Sequence, residues 1–545
     1  MTIRIPATPS ADTAPSSKIN RLRRPDVPEQ RSACPVLDAT MHHSPIAAVR
    51  GDRVAVKVLS VTSELYPLVK TGGLADVTGS LPKALAAYGI ETRSLLPGYP
   101  AVLDAIGKGR RVAELDLLGY RARLISTRVD GHALYILDVP ELYQRRGGPY
   151  LDEDGVDFAD NSIRFAVLSL AGARIASGAV PGWRPDLVHT HDWQSALTSV
   201  YMRYVMESAV PTVLTIHNLA FQGQFALRGL PDLELPSEAY TIDCLEYYGD
   251  VSFLKGGIQT ADMVTTVSPT YAREILSEGL GMGMDGVLKA RRRSLRGIVN
   301  GIDTDVWSPD KDPHLICAFG PGKLARRGLN RKHLTNRFGL ADSDGPIFSV
   351  VSRLTWQKGI DLLLECVPHI VDGGGRLIVC GQGDHGCEQQ LREMARLYPN
   401  HVAVSIGYDE ALAHLIHGGT DFIVQPSRFE PCGLTQLYAL RYGAVPIVAR
   451  TGGLSETIID ANDAAMAAEA ATGIQFHPTT AEELCHAIDR AMALFRDPDR
   501  FAQLQVQGMK MNFSWETSAL QYASLYEELT GSLCPEQPWH GKKAS

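Results

Sequence analysis

The sequence predicts an α/β protein of two doubly wound halves facing one another across a cleft, and three observations lead there. In the second half, short apolar runs at 347–351, 376–380, 402–406, 421–424 and 445–448 alternate with segments of helical length, the pattern of a parallel sheet covered by helices on both faces. In the first half, runs at 54–61, 186–191, 212–217 and 263–267 are separated in a similar way. One motif then occurs once in each half: Lys70-Thr-Gly-Gly-Leu-Ala-Asp76 and Arg450-Thr-Gly-Gly-Leu-Ser-Glu456. Both copies follow a strand and open a helix, where glycine lets backbone N–H groups point at a phosphate and the helix dipole adds to the attraction. One such loop is no more than a tight turn. Two, one per half, suit a single anionic ligand held between the halves.

Residues 1–52 are rich in Pro, Ser, Thr, Ala and Arg and poor in large apolar side chains, and are expected to be a disordered N-terminal extension. They lack the apolar centre of a secretory signal, and Asp12, Asp26, Glu29 and Asp38 argue against a transit peptide. Residues 53–300 make the first half. Leu74, Val77, Leu81, Leu85 and Tyr88 step by three and four, which predicts a helix closed by Gly89 and kinked or split at Pro82. His191-Asp192-Trp193, His217-Asn218 and Asn300 end strands, and open α/β sheets bind ligands outside such carboxyl ends. The basic stretch 326–337 is expected to be a helix with solvated charges near the domain boundary.

Residues 301–512 make the second half. Ser352-Arg-Leu-Thr-Trp-Gln-Lys-Gly359 lies between its first strand and first helix. Arg353 and Lys358 there can clamp a diphosphate, one as a planar fork and the other as a point charge; they are equally compatible with two ordinary loop charges. Gly373 to Gly375, and Gly381 with Gly383, are expected to be turns. Residues 513–530 form a last helix, and 531–545 are expected to be a disordered tail.

The richest stretch is 426–456. An apolar strand ends in a turn carrying Glu430, Gly433 precedes a run with Leu434, Leu437, Tyr438 and Arg441 at helical spacing, and Gly443 sits where a helix C-cap wants positive φ. On spacing alone this is equally an ordinary βαβ unit with a solvated glutamate.

Composition narrows the partners. With 53 basic and 61 acidic residues the formal net charge is −8, which argues against nucleic acid or an anionic membrane as a partner. Cations that hold an anionic substrate must therefore be local. Nine cysteines with no CxxC pair fit reduced thiols in a cytoplasm. No apolar run reaches the roughly 18 residues a membrane helix needs.

The motif order KTGGLAD, HTHDW, TIHNLAFQG, VSPTYAREI, VNGID, SRLTWQKG, EPCGLTQ and TGGLSE resembles that of the bacterial glycogen synthases and plant starch synthases, retaining glucosyltransferases of the GT-B fold. The resemblance runs from about Val54 to Leu529. It implies two Rossmann-like domains closing over ADP-glucose, with the last helix crossing back to the first domain, and an α-1,4-glucan such as glycogen as acceptor. Position by position, it implies that Lys70, Gly72 and Gly73 hold the diphosphate from the first domain, within a loop that also contributes Asp76 to substrate binding. Arg353 and Lys358 would hold it from the second, joined by the Leu434 and Thr435 amides. His217 would contact the glucose 6-hydroxyl, and Asp192 and Asn300 would orient the sugar. Glu430, beside Cys432 and Gly433, would take the 3- and 4-hydroxyls. Arg353, Lys358, His217, Glu430 and Asp192 are the catalytic candidates. No cofactor is implied and no metal: Asp152-Glu-Asp154 and Asp303-Thr-Asp305 match the short DxD pattern of metal-using transferases but read as loop acids. A sucrose-, trehalose- or glycolipid-forming transferase, and a catalytically dead glucan-binding protein, are the rival readings.

Overall fold

In the computed structural model, which describes residues 55–407 and 409–532, every strand run read from the sequence forms a strand, with ends within about two residues. The extension 1–52 and the tail beyond residue 532 lie outside the described residues. The first half is built on nine strands: β1 Val56–Val61, β2 Ile90–Pro97, β3 Arg110–Leu117, β4 Tyr120–Val129, β5 His132–Asp138, β6 Leu187–His191, β7 Thr212–Ile216, and, after a small three-stranded sheet of β8 Gln224–Phe225, β9 Glu246–Tyr247 and β10 Asp250–Ser252, β11 Met263–Thr266 and β12 Leu295–Gly297. Their order is β12-β11-β7-β6-β1-β2-β5-β4-β3. All pairs are parallel except β3 with β4 and β4 with β5. The second half has six parallel strands, β13 Ile347–Val351, β14 Arg376–Gly381, β15 Val402–Ile406, β16 Phe422–Gln425, β17 Val445–Ala449 and β18 Ile474–Phe476, in the order β15-β14-β13-β16-β17-β18.

Strand order reverses direction between β1 and β6 in the first sheet and between β13 and β16 in the second. Crevices for ligands open at such switch points, outside the carboxyl ends of the strands. Glu64 and His191 follow one switch point; Arg353, Lys358 and Glu430 follow the other.

The sequence reading missed the β3–β5 hairpins. β3 and β4 alternate polar and half-buried positions, and β3 Arg110–Leu117 is largely exposed, so they carry none of the continuous apolar signal of a strand buried on both faces; β5 does carry an apolar run, Ala133–Leu137, which the reading passed over. Two further expectations are corrected. Pro82 neither splits nor ends its helix, which runs from Gly73 to Ala86; burial of Leu81, Pro82 and Leu85 holds the turn that lacks one backbone bond. The basic stretch does form a helix, Arg327–Arg337, but its charges are not all solvated. Arg327 is buried and donates to the carbonyls of Tyr442, His417 and Thr420, and Arg331 bridges Asp421 at 3.1 Å. A guanidinium offers five donors, enough to satisfy several orphan carbonyls at once.

The last helix, Trp515–Thr530, crosses back to the first sheet. Trp515, Ala519, Tyr522 and Tyr526 pack with Val56, Val58, Leu187, Val213 and Met263. The crossing is tied at its start by the Ile302 N–H donating to the Phe513 carbonyl at 2.8 Å, and it passes so near Gly301 that a Cβ there would lie 2.6 Å from the Trp515 Cα. Trp515→Ala should therefore lower unfolding stability by about 3–5 kcal/mol, read from the shift in urea midpoint; a loss below about 1 kcal/mol would mean that the crossing is held by its backbone contacts instead.

Candidate active site

The two switch points face each other. Lys70 Nζ, on the first half, lies 2.9 Å from Asp76 Oδ1 and 3.4 Å from Glu410 Oε2 of the second half. The guanidinium of Arg353, exposed at the end of β13, sits 5.6 Å from the ring centre of Phe221 in the first half. Gly73 lies against Leu434, whose Cδ1 would be 3.4 Å from a Cβ at that glycine. Lys70, Gly73, Arg353 and Leu434 thus lie where the two halves meet.

On the second half, Glu430 is buried and accepts from Lys358 Nζ at 2.6 Å and from Ser427 Oγ at 3.0 Å. Lys358 is held by the tight turn behind it: Gly359 has φ +68°, and a Cβ there would lie 2.0 Å from the Pro426 carbonyl. Only glycine meets both conditions. The helix Thr435–Arg441 follows Leu434, with Thr435 Oγ1 donating to the Val351 carbonyl at 3.3 Å beside the Arg353 loop. Gly433 has φ +73°. Cys432 is buried and its thiol is pushed up to about 12 by burial, so it is a thiol and not a thiolate at neutral pH. Asn300 is buried, and its Oδ1 has no hydrogen-bond partner among the described residues.

On the first half, Asp192 begins its helix at φ +55°, an uncommon conformation outside glycine. Its Oδ1 accepts from the His217 N–H at 2.7 Å and the Asn218 N–H at 3.5 Å. Burial pushes its carboxyl up to about 7 in spite of these bonds. His217 Nε2 and His191 Nδ1 share a hydrogen bond of 3.1 Å, and Ser60 Oγ bonds the far nitrogen of His191. Burial holds His217 down at about 3 and His191 well below its ordinary value. These rings are neutral at physiological pH; His217 can bond a hydroxyl but brings no positive charge.

The phosphate-loop expectation needs correction. The N–H groups of Thr71 and Gly72 do not face an open site: both donate to the Glu64 carboxylate, at 2.5 and 3.3 Å, as does Thr71 Oγ1 at 2.6 Å. Tyr150 OH donates to the same group at 2.6 Å, and burial raises its pKa. The second copy is filled as well, by Glu274 of the first half, whose Oε1 accepts from the Gly452 N–H at 2.9 Å. A ring of converging N–H groups attracts any anion, and here a side chain supplies it. Asp76 likewise pairs with Lys70 and is pushed up to about 6 by burial. Glu64, Tyr150, Glu274 and Glu410 were not singled out from the sequence. Glu64 had one visible signal, an acid just after a strand and eight residues before the first glycine; the others come from distant segments.

Both DxD triplets are turns: Asp152 Oδ1 accepts from the Asp154 and Val156 N–H groups, and Asp303 Oδ1 from those of Asp305 and Val306. Among the described residues no group of three or more His, Cys, Asp or Glu is arranged to hold a metal ion.

Residues 57–290 match the family model of the starch synthase catalytic domain, and 334–503 that of the glycosyl transferases group 1. The chain is 56% identical over 475 residues to glycogen synthase of Rhizobium rhizogenes, covering 87% of this chain and 99% of that one. It is 55% identical over 476 residues to glycogen synthase 1 of Rhizobium meliloti, with the same coverage. Among solved structures, the catalytic domain of starch synthase IV from Arabidopsis thaliana, bound to ADP and acarbose, matches with a TM-score of 0.80 and 29% identity over 88% of this chain and all of that one. Sucrose-phosphate synthase from Thermosynechococcus elongatus shares the fold, with a TM-score of 0.54 at 18% identity over 87% of this chain and 99% of that one.

Asp192 allows a direct test of the electrostatics. A carboxyl at about 7 in the folded chain and 3.8 when unfolded favours folding below pH 3.8, and that contribution is lost as the pH rises through 7. Asp192→Asn keeps the accepting oxygen without the charge. Relative to wild type it should gain stability between pH 4 and pH 8, on the order of 4 kcal/mol, measured by urea unfolding across that range. A difference that does not change with pH would show that Asp192 ionises normally.

Proposed function

The chain belongs to the glycogen synthase family, and on that premise we propose that it transfers glucose from ADP-glucose to the non-reducing end of an α-1,4-glucan, with retention at C1. The observation that supports this reading is that charged groups of the two halves meet, with Lys70 of the first reaching Glu410 of the second at 3.4 Å and Arg353 of the second standing beside Phe221 of the first.

The chemistry must expel ADP while positive charge builds on C1. Fixed positive charge on the departing diphosphate is therefore the leading requirement. Arg353 has no carboxylate partner among the described residues and is the cation most available to that phosphate. Lys358 serves twice: it pairs with Glu430 at 2.6 Å and turns part of its charge to the leaving group. Lys70, held between Asp76 and Glu410, contributes from the opposite wall, and the Leu434 and Thr435 amides lie at the start of a helix beside it. Gly72 and Gly73 let the backbone come close; Asp76 acts through Lys70. His217, neutral, accepts from or donates to the glucose 6-hydroxyl. Asp192 fixes the His217 backbone, and the unpartnered Asn300 Oδ1 suits a sugar hydroxyl. Glu430, with Cys432 and Gly433 beside it, takes the 3- and 4-hydroxyls. Departure of ADP and entry of the acceptor on the same face accounts for retention without an attacking carboxylate. The cations present make the transfer independent of metal.

The reaction is read in a cytoplasmic setting, without membrane or nucleic acid as partner. All seven cysteines among the described residues are free thiols, and no described helix is long and apolar enough to cross a membrane.

Incubating the protein with glycogen and ADP-glucose in the presence of EDTA should release ADP and lengthen the glucan, faster than with UDP-glucose. Equal or better turnover with UDP-glucose would overturn the donor assignment, activity restored only by Mg²⁺ or Mn²⁺ the metal-free reading, and no transfer the function itself. In steady-state kinetics Lys358→Ala should lower kcat by 2–4 kcal/mol, roughly 10² to 10³-fold, because it strips charge from the leaving group and leaves Glu430 unpaired. A normal kcat with only a raised KM would remove Lys358 from that role. Glu430→Gln should retain measurable turnover as a sugar ligand; near-complete inactivity would make Glu430 the nucleophile of a double displacement.

A further inference from the structure

The segment Val267-Ser-Pro-Thr-Tyr-Ala-Arg-Glu274 takes no part in the reaction described above, yet most of its polar side chains bond to a segment that does. Its helix, Pro269–Glu274, belongs to the first half and is capped by Ser268, whose Oγ accepts from the Tyr271 N–H at 3.0 Å. The same hydroxyl donates to the Pro431 carbonyl of the second half at 2.7 Å, next to Glu430. Glu274 accepts from the Gly452 N–H at 2.9 Å and from Thr451 Oγ1 at 3.3 Å. Gly452 and Gly453 in turn lie flat on the Glu430–Cys432 turn. The Gly453 N–H donates to the Glu430 carbonyl at 3.0 Å, and a Cβ at Gly452 would lie 1.9 Å from that oxygen.

On the other side of the helix, the wholly buried Tyr271 accepts through its hydroxyl from the Leu219 N–H at 3.1 Å, two residues after His217. The helix cannot retreat: a Cβ on Gly297, behind it, would lie 2.3 Å from the Ser268 carbonyl and 2.5 Å from the Pro269 backbone. Thr270 and Arg273 add an outer contact to Glu456, at 2.5 and 3.5 Å. Glu274 Oε2 is buried with no partner, a cost that packing alone does not explain.

We propose that this helix is a brace that sets the Glu430 turn of one half against the His217 loop of the other, with Ser268 and Glu274 as positioning residues for Glu430 and Tyr271 for His217. The inference rests on the reading that Glu430 and His217 border the transferred glucose. A sugar held between them reacts only when the gap is right, and misplacement by an ångström costs rate far more than it costs binding. The brace meets that need with a short helix of one half, anchored by the buried Ser268 and Tyr271, whose acidic end accepts from the Gly452 N–H and the Thr451 hydroxyl of the other.

The test uses the full chain, with Glu274→Gln and Tyr271→Phe made singly and together, and Ser268→Ala as a second break on the Glu430 side should Glu274→Gln fold poorly. Each single variant should lower kcat about 3- to 30-fold, the range expected of coupling residues, with KM for ADP-glucose changed less. The double variant should lose less than the product of the singles, since a brace slack at one end no longer transmits from the other. Amide exchange read by mass spectrometry gives a measure that needs no activity. Glu274→Gln should quicken exchange in peptides covering 426–433 and also in those covering 215–222, on the far side of the helix. Loosening confined to 451–456, with wild-type kcat, would reduce Glu274 to a local helix cap and overturn the proposal. So would singles whose losses multiply in the double variant. If the wild-type chain transfers no glucose, the functional reading fails, while the exchange pattern still decides whether the helix couples the two loops.

Discussion

Charge in this cleft is held in pairs, and most of the geometry follows from that constraint. An ionised group removed from water needs a partner or it neutralises itself. Lys358 stands on Glu430 and Lys70 between Asp76 and Glu410. Glu64 rests on two backbone N–H groups of one Thr-Gly-Gly turn, and Glu274 on one N–H and the threonine hydroxyl of the other. Asp192, which has only backbone donors to hold it, is the group whose carboxyl burial pushes up to about 7. On the proposed reading, a diphosphate meets Arg353, which has no carboxylate partner among the described residues, and two ammonium groups already positioned by carboxylates. This is how a chain of net charge −8 offers a local site for an anion: the field is set over a few ångströms, and the rest of the molecule is irrelevant to it.

The same constraint explains what could and could not be read in the sequence. Five of the six second-half strands were legible because strands buried on both faces are continuous apolar runs, while the three-residue β18 was too short to read; the site loops were legible because glycine and charge gather at their ends. Partners were not legible. The two Thr-Gly-Gly loops are almost the same string, yet one is filled from seven residues away and the other from 178, and nothing within either loop says so. Arg327 is likewise one basic residue among several in its stretch. Only the carbonyls of Tyr442, His417 and Thr420, assembled by the fold, turn it into a core residue. Sequence shows where chemistry-bearing groups stand along the chain; the third dimension decides which of them are already engaged.

The histidines make the point from the other direction. Two histidines ending neighbouring strands suggest charge or acid–base work. Burial removes that option, holding His217 at about 3 and His191 lower than its ordinary value, and leaves a neutral bonded pair backed by Ser60. A neutral imidazole beside a sugar adds direction without adding repulsion to the positive charge that builds on C1. An imidazolium there would oppose the reaction proposed for Arg353 and Lys358.

The contacts between the halves are of two kinds, and the difference indicates where the cleft opens. On the side of the crossing helix they are short and buried: Ile302 to Phe513 at 2.8 Å, Ser268 to Pro431 at 2.7 Å, and Gly301 pressed against Trp515. At the mouth they are longer and reach solvent: Lys70 to Glu410 at 3.4 Å, Arg353 beside Phe221 at 5.6 Å. The Lys70–Glu410 pair is long and only partly buried, so it can be replaced by water or by another ion, whereas breaking a fully buried bond strands its partner at about 1–3 kcal/mol. Entry of a donor therefore separates the mouth first and leaves the buried side as the hinge. Lys70 and Arg353 stand on the side that parts most easily, whereas the Ser268–Pro431 bond beside Glu430 and the Tyr271–Leu219 bond beside His217 lie on the side that is held.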